Sequence, residues 1–204
     1  MKIQEIKPRI YQVDFETRQE LLKTFIRFQE HYESPEFKDK VFTVEEYAEW
    51  YQKDTGKDTF TYFDDWSGCN VPSYVFERFR EGMFNPLCQR ETKILELLPN
   101  DGEDYYVIGT FSGGREDVIH HEICHGLFYS IPNYQAEILN LLAVFDPLLE
   151  DVKSYIRKKG YHESVVLDEV HAYVGASSNK LDEDGVDYPK ELVDKIKAVV
   201  DKYK

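Results

Sequence analysis

Tyr105-Tyr106-Val107-Ile108-Gly109-Thr110 is the strongest strand pattern in the chain, and a helical pattern that contains His121-Glu122-Ile123-Cys124-His125 follows it. Aromatic and β-branched residues favour the strand, and Ser112-Gly113-Gly114 favours a turn before the helix. Strand and helix patterns are mixed before about residue 112, whereas the later patterns are helical almost to the end. Because strands and most helices are segregated along the chain, we predict an α+β protein and not an alternating βαβ fold.

Signals on the N-terminal side of this stretch predict a strand and two capped helices. Arg9–Val13 alternates apolar and polar residues, as a half-buried strand does. Thr17 and Glu20 have the spacing of a capping box, and so do Thr43 and Glu46. We therefore expect helices to begin at these two threonines.

Further signals predict one more strand and the remaining helices. Thr59–Phe63 has strand-forming residues. Asn70-Val71-Pro72 and Asn85-Pro86 each resemble a helix start, with asparagine as the cap and proline in the first turn. Gly160 fits the end of one helix and Ser164 the beginning of the next. C-terminal helices are expected at about 115–130, 134–145, 147–159, 164–174 and 189–203.

The composition excludes several classes of partner. The 204 residues include 25 Lys and Arg against 39 Asp and Glu, a net charge of −14, and no basic patch interrupts the acidic excess. Such a chain repels a phosphate backbone, so we expect neither nucleic acid nor an anionic membrane as a partner. No apolar run approaches the roughly 20 residues of a membrane helix. Three cysteines and no visible secretory signal lead us to expect a cytoplasmic protein.

The segment His121-Glu122-Ile123-Cys124-His125 matches the pattern H-E-x-x-H. Two histidines four positions apart lie one turn above each other on a helix, so both can bind one metal ion. Glu122 lies about 100° further round the helix, where its carboxylate reaches a metal-bound water without being a ligand. The motif therefore predicts a metal site with a general base beside it.

The surrounding residues predict how this helix is oriented. The side opposite the histidines carries a core-facing stripe of Ile119, Ile123, Gly126 and Leu127, flanked by Cys124. The ligand side carries Val118, Glu122 and Tyr129, with Asp117 nearby. We therefore expect the helix to bury one face and to present the other to a cleft, and we expect Cys124 to be a small buried side chain.

A third ligand is expected from a later helix, because a catalytic zinc site usually takes three protein ligands. The position six residues after the second histidine is Ile131, which excludes the metzincin pattern. The best-placed carboxylate is Glu169, 44 residues after His125. Other residues with suitable ligand atoms remain as alternatives: Asp168, His171, Glu163 and Glu137. A register that uses His120 and Cys124 is also open, but it places the general base poorly.

With the motif on one helix and a glutamate on a later one, the chain resembles the gluzincin branch of zinc metallopeptidases over about residues 105–175. The resemblance implies a zincin-like fold, with a small mixed sheet and the active-site helix in one lobe and a mostly helical second lobe. A single catalytic domain would then cover residues 1–204, with its lobes at 1–130 and 131–204. The strand at Tyr105–Thr110 would be an edge strand that binds extended peptides. Tyr173 stands where many gluzincins have an acidic residue that orients a histidine.

The resemblance also implies a reaction and a set of site residues. His121, His125 and Glu169 would hold Zn²⁺, and Glu122 would be the general base in the hydrolysis of a peptide bond by a metal-activated water. The substrate would be a peptide or a protein.

An additional donor is needed for the oxyanion that forms in this reaction. Tyr161 and Tyr173, together with His171, are the candidates. Two other functions stay open: a catalytically silent zincin-like module that binds peptides or a partner, and a metal hydrolase that acts on a non-peptide amide. The sequence specifies no oligomeric state.

Overall fold

The computed structural model describes residues 1–66, 68–112, 116–159, 161 and 163–203, without the side chains of residues 116–118. The chain divides into two compact units, Met1–Gly114 and Arg115–Lys204. All four strands that the structure describes lie in the first unit, and the described part of the second is helical. The predicted α+β class is therefore confirmed. The motif helix falls in the second unit, and the single catalytic domain with lobes at 1–130 and 131–204 stays a prediction.

The first unit contains a four-stranded mixed sheet. Its strands are β1 (Lys2–Lys7), β2 (Ile10–Phe15), β3 (Cys69–Pro72) and β4 (Tyr106–Phe111), in the order β1-β2-β4-β3. β4 pairs parallel with β2 and antiparallel with β3, and β1 pairs antiparallel with β2. The predicted strands near Arg9–Val13 and Tyr105–Thr110 are confirmed, whereas β1 and β3 were not predicted as strands.

The expectation that Tyr105–Thr110 is an edge strand is wrong. β4 has a hydrogen-bonded neighbour on each side, and five of its six residues are buried. A strand that is covered on both faces needs a near-continuous apolar sequence, which is the pattern Tyr106–Phe111 has. A peptide therefore has no free edge of this strand on which to add.

Five helices cover the sheet or lie beside it in the first unit: α1 (Arg18–Glu33), α2 (Val44–Thr55), α3 (Tyr62–Asp65), α4 (Ser73–Arg80) and α5 (Gln89–Leu97). α1 contacts β2, β3 and β4. The predicted caps are confirmed, since Thr17 accepts a hydrogen bond from the Glu20 N–H and Thr43 forms a complete capping box with Glu46. α2 ends at Gly56, whose φ of 66° lies in the left-handed region.

Three predictions in this unit are wrong. Thr59–Phe63 forms no strand: α3 begins at Tyr62, and these aromatic residues pack with Tyr47 and Tyr51 in a buried cluster. Asn70 lies in β3, and α4 begins after Pro72. Asn85 does not begin a helix either, because the capping box of α5 is formed by Cys88 and Glu91. Aromatic content and an asparagine close before a proline are local signals, and tertiary packing overrides them here.

The second unit is built around one buried helix. Its helices are α6 (Glu116–Ser130), α7 (Pro132–Phe145), α8 (Glu150–Lys158), α9 (Val166–Ala176), α10 (Ser178–Glu183) and α11 (Glu191–Tyr203), with short 3₁₀ turns at Asp146–Leu148 and Glu163–Val165. α9 contacts each of the other five helices. A Cβ at Gly175 would lie 2.4 Å from Ile196 Cγ2, so this glycine allows α11 to approach α9 closely.

The five helices predicted for this unit are confirmed, and α10 was not predicted. Ser164 does not cap α9, because it lies inside the 3₁₀ turn that precedes the helix. The predicted C-cap at Gly160 and the predicted turn at Gly113 and Gly114 lie outside the described residues. Among the helices that the structure describes, none combines the length and the apolar character needed to cross a membrane.

Candidate metal site

The two histidines of the motif lie one turn apart on α6. Their rings are 4.8 Å apart between centroids, and the ring planes meet at 74°. On the predicted core side, Ile123, Cys124 and Leu127 are buried. The predicted orientation of this side is therefore confirmed for these residues, while the side chains of Asp117 and Val118 lie outside the described part.

α9 brings Glu169 to both histidines. Its Oε2 lies 3.6 Å from His121 Nε2, and its Oε1 lies 3.5 Å from His125 Nε2. One ligand atom from each of the three residues lies within 4.8 Å of the other two. The structure thus places together the three side chains that the sequence analysis selected, and the group can hold a metal ion.

The donor set fits a divalent cation. Glu169 Oε2 is buried and accepts no hydrogen bond from the residues that the structure describes. A buried carboxylate oxygen without a hydrogen bond is costly, and a cation between Glu169 and the two imidazoles would remove this cost. Two nitrogens and one carboxylate oxygen are a donor set that zinc takes, although other divalent transition metals accept it too.

The alternative third ligands are placed elsewhere. Asp168 and His171 lie on the Nδ1 side of His125, since His125 Nδ1 and His171 Nδ1 are 2.9 Å and 3.3 Å from Asp168 Oδ1. Glu137 pairs with Lys202 at 2.7 Å, and Glu163 pairs with Arg157 at 2.7 Å. None of these carboxylates belongs to the group around the two Nε2 atoms.

His120 and Cys124 do not form a second register of the site. The side chain of Cys124 is buried on the core side of α6, as predicted, whereas His120 is exposed. The group of ligand atoms around Glu169 includes neither His120 nor Cys124.

The electrostatics of the site centre on His125. Burial lowers the pKa of His125, but the negative charges of Asp168 and Glu169 outweigh burial, so the net pKa is well above its usual value. Burial raises the pKa of Asp168, but the interactions with His125 and His171 together outweigh burial and hold that pKa below its usual range. The raised pKa favours a proton on His125, which metal binding must displace.

Glu122 and Tyr173 lie close to the same group. Glu122 is only 9% exposed, and its charge acts on both His125 and Tyr173. The ring of Tyr173 is 5.0 Å from the His121 ring in an edge-on contact. Burial raises the pKa of Tyr173 to about 12, while a hydrogen bond with Tyr161 opposes the shift. Both tyrosine candidates therefore belong to one hydroxyl pair, in which Tyr173 keeps its proton at neutral pH.

The ligand side of α6 is more enclosed than predicted. We expected this face to open to a cleft, yet Glu122 and His125 are both buried. Part of this burial comes from α9, which packs against α6. The same packing of α9 on α6 that brings Glu169 to the two histidines also covers the ligand side of α6.

Sequence reasoning missed Ser177. Its Oγ lies 3.1 Å from His121 Nδ1, and the residue is 2% exposed at the junction of α9 and α10. No spacing rule connects a serine to a histidine 56 positions earlier in the chain. Asp168 was considered only as an alternative ligand, and its contact with the far side of the His125 ring was also missed.

Comparison with known proteins adds no relative. The chain matches no protein-family model, and it has no significant similarity to a curated protein or to a solved structure. The resemblance to gluzincins therefore rests on the motif and on the geometry of the site.

Proposed function

We propose that the protein is a zinc-dependent metallopeptidase of gluzincin type, with a zincin-like arrangement of its motif helix and glutamate helix. His121, His125 and Glu169 would hold the metal. The observation that carries the proposal is the position of Glu169, whose carboxylate lies within 3.6 Å of both Nε2 atoms while its Oε2 accepts no hydrogen bond from a described residue.

Zn²⁺, when bound, supplies a Lewis acid and lowers the pKa of a coordinated water from about 15.7 towards 7. Glu122 is the residue that moves the proton. It follows His121 on α6, is shielded from bulk solvent, and is absent from the group of metal ligands. Its carboxylate would take a proton from the attacking water and pass it to the leaving amine.

The Tyr161–Tyr173 pair would stabilise the developing oxyanion. A phenol with a pKa of about 12 keeps its proton at neutral pH, so Tyr173 remains a hydrogen-bond donor. Tyr161 is partly exposed and hydrogen-bonds with Tyr173. A donor held by a partner before the reaction stabilises the transition state without reorganisation.

The enclosure of the site favours a second candidate, a catalytically silent module that binds a peptide or a partner. Structural zinc sites are closed, whereas catalytic sites keep a position open for water and substrate. Here Glu169, Glu122 and His125 are all buried. A hydrolase that acts on a non-peptide amide would use the same residues and differ only in its substrate.

A peptide library separates these functions. The purified chain is loaded with Zn²⁺ and incubated with a mixed library of synthetic peptides, and new termini are identified by mass spectrometry. The proposal predicts cleavage that stops when a chelator removes the metal and returns when Zn²⁺ is restored. A zinc-loaded protein that cleaves no peptide would contradict peptidase activity and favour the silent module.

A further inference from the structure

Both ring nitrogens of each site histidine face a polar side chain. Each Nε2 faces Glu169, at 3.6 Å for His121 and 3.5 Å for His125. Each Nδ1 faces a different polar group: Ser177 Oγ lies 3.1 Å from the Nδ1 of His121, and Asp168 Oδ1 lies 2.9 Å from the Nδ1 of His125. The two rings therefore point their Nε2 atoms to the same place.

An imidazole can bind a metal through either nitrogen, and the hydrogen bond at the other nitrogen selects which one. A group that accepts from Nδ1–H fixes the tautomer, limits rotation of the ring and makes Nε2 a better donor to a metal. Ser177 Oγ and Asp168 Oδ1 are both able to accept this hydrogen bond.

We propose that Asp168 and Ser177 are positioning residues, which hold the Nδ1 atoms of His125 and His121 so that both Nε2 atoms are presented to one divalent cation. The inference rests on the metal site of the proposed function, but it concerns residues that the motif does not contain. Asp168 and Glu169 are consecutive on α9, and they contact opposite nitrogens of the same ring. The carboxylate ligand and the positioning carboxylate therefore come from adjacent residues.

Asp168 also lies close to a second histidine. His171 Nδ1 lies 3.3 Å from the oxygen that faces His125, and His171 is fully buried. Its ring stacks on Phe128, with centroids 5.0 Å apart and planes at 22°. Asp168 and His171 are three positions apart on α9, so their side chains lie on one face of the helix. Asp168 Oδ1 therefore lies between the Nδ1 atoms of His125 and His171.

The zinc affinity of variants at Asp168 and Ser177 tests whether these residues position the histidines. Zn²⁺ is titrated against a chromophoric chelator in the presence of the wild type, Asp168→Asn, Ser177→Ala or Ser177→Thr. Losing a residue that orients a ligand typically weakens metal binding by about 10- to 100-fold. We expect a loss in this range for Asp168→Asn, a smaller loss for Ser177→Ala, and recovery in Ser177→Thr, which keeps the hydroxyl. Asp151→Asn is the control, because Asp151 is an exposed acid on α8 of the same unit.

A measurement on the wild type avoids the effects of the substitutions on folding. Nitrogen-15 NMR of the zinc-loaded protein distinguishes a metal-bound nitrogen from a protonated one in each histidine ring. The proposal predicts that Nε2 of His121 and His125 binds the metal and that each Nδ1 carries a slowly exchanging proton. Coordination through either Nδ1 would overturn it.

The outcomes separate the inference from the function on which it rests. If Asp168→Asn and Ser177→Ala both bind Zn²⁺ within twofold of the wild-type affinity, the positioning roles are overturned. The proposed metal site would then still stand. A wild type that binds no Zn²⁺ overturns the proposed metal site and the inference with it.

Discussion

Glu169 Oε1 lies 3.5 Å from His125 Nε2, although 44 residues separate the two in the chain. Glu169 lies on α9, which contacts every other helix of the second unit and is buried along most of its length. A helix held on so many sides sets the position of its side chains firmly. The ligand geometry therefore depends on the packing of the whole unit as well as on the motif helix.

Glu122→Gln should slow catalysis strongly and keep the metal. Glutamine has nearly the same shape, but it cannot accept a proton, and loss of a general base costs about 10²- to 10⁴-fold in rate. We expect kcat/KM on a cleaved peptide to fall by this factor while zinc content stays at the wild-type value. Glu183→Gln, on the exposed side of α10, is the matched control and should leave both quantities unchanged. Full activity in Glu122→Gln would exclude this residue as the base.

Zinc should stabilise the folded protein. A ligand that binds only the native state adds about 4 kcal/mol when its free concentration is 1,000 times the Kd. Zn²⁺ would also remove the free-energy cost of the buried Glu169 Oε2, which accepts no hydrogen bond from a described residue. Thermal unfolding followed by circular dichroism should show a higher Tm with Zn²⁺ than with a chelator. The same shift in His121→Ala would mean that the stabilising ion binds elsewhere.

Glu30 should make the first unit less stable as pH rises. Burial raises the pKa of Glu30 to about 7, and the hydrogen bond from the Tyr62 hydroxyl, at 2.6 Å, opposes this only in part. The ordinary value is 4.5, so the folded state binds the proton more tightly than the unfolded state does. The resulting stabilisation is complete below about pH 4.5 and is lost as pH rises through 7, by at most about 3 kcal/mol.

Urea unfolding between pH 4.5 and 8 measures this dependence. Glu30→Gln should flatten it and should be more stable than the wild type at pH 8, because the amide never ionises. Glu49→Gln, an exposed change on α2, should keep the wild-type slope. An unchanged slope in Glu30→Gln would show that the carboxyl is not the group responsible.

Gly175→Ala should destabilise the second unit and weaken zinc binding. The new Cβ would lie 2.4 Å from Ile196 Cγ2, so α9 and α11 must separate or Ile196 must leave its rotamer. Overpacking of this kind costs about 1–3 kcal/mol. Chemical denaturation gives the stability, and the chelator competition gives the affinity. Ala176→Gly, one position along α9, tests whether any substitution at this end of the helix has the same effect.

The part of the site that depends on local spacing could be predicted from the sequence. His121 and His125 are one turn apart in any helix, and the apolar residues opposite them mark the buried side. Glu169 was found through the resemblance and through the short list of carboxylates on later helices. Ser177 and the Nδ1 contact of Asp168 depend on ring orientation and on where α9 ends, which no local pattern encodes.

The fold also has a part that local sequence signals predict and a part that they do not. The capping signals at Thr17 and Thr43 are contained within a few residues, and they predicted the helix starts correctly. The position of β4 inside the sheet depends on pairing with Ile10–Phe15, nearly a hundred residues earlier. The strand itself was therefore predicted correctly, but its position at an edge of the sheet was predicted wrongly. Aromatic residues at Thr59–Phe63 were assigned to a strand because a buried aromatic cluster and a strand use the same residue types.

Zinc content is the measurement that tests the central claim most directly. The wild-type chain, His121→Ala and Glu169→Gln are purified in parallel, dialysed against Zn²⁺ and then against metal-free buffer, and analysed by inductively coupled plasma mass spectrometry. The account predicts one zinc per chain in the wild type, and strongly reduced zinc in both variants. A wild type that retains no divalent metal, or variants that retain as much as the wild type, would contradict a metal site formed by His121, His125 and Glu169.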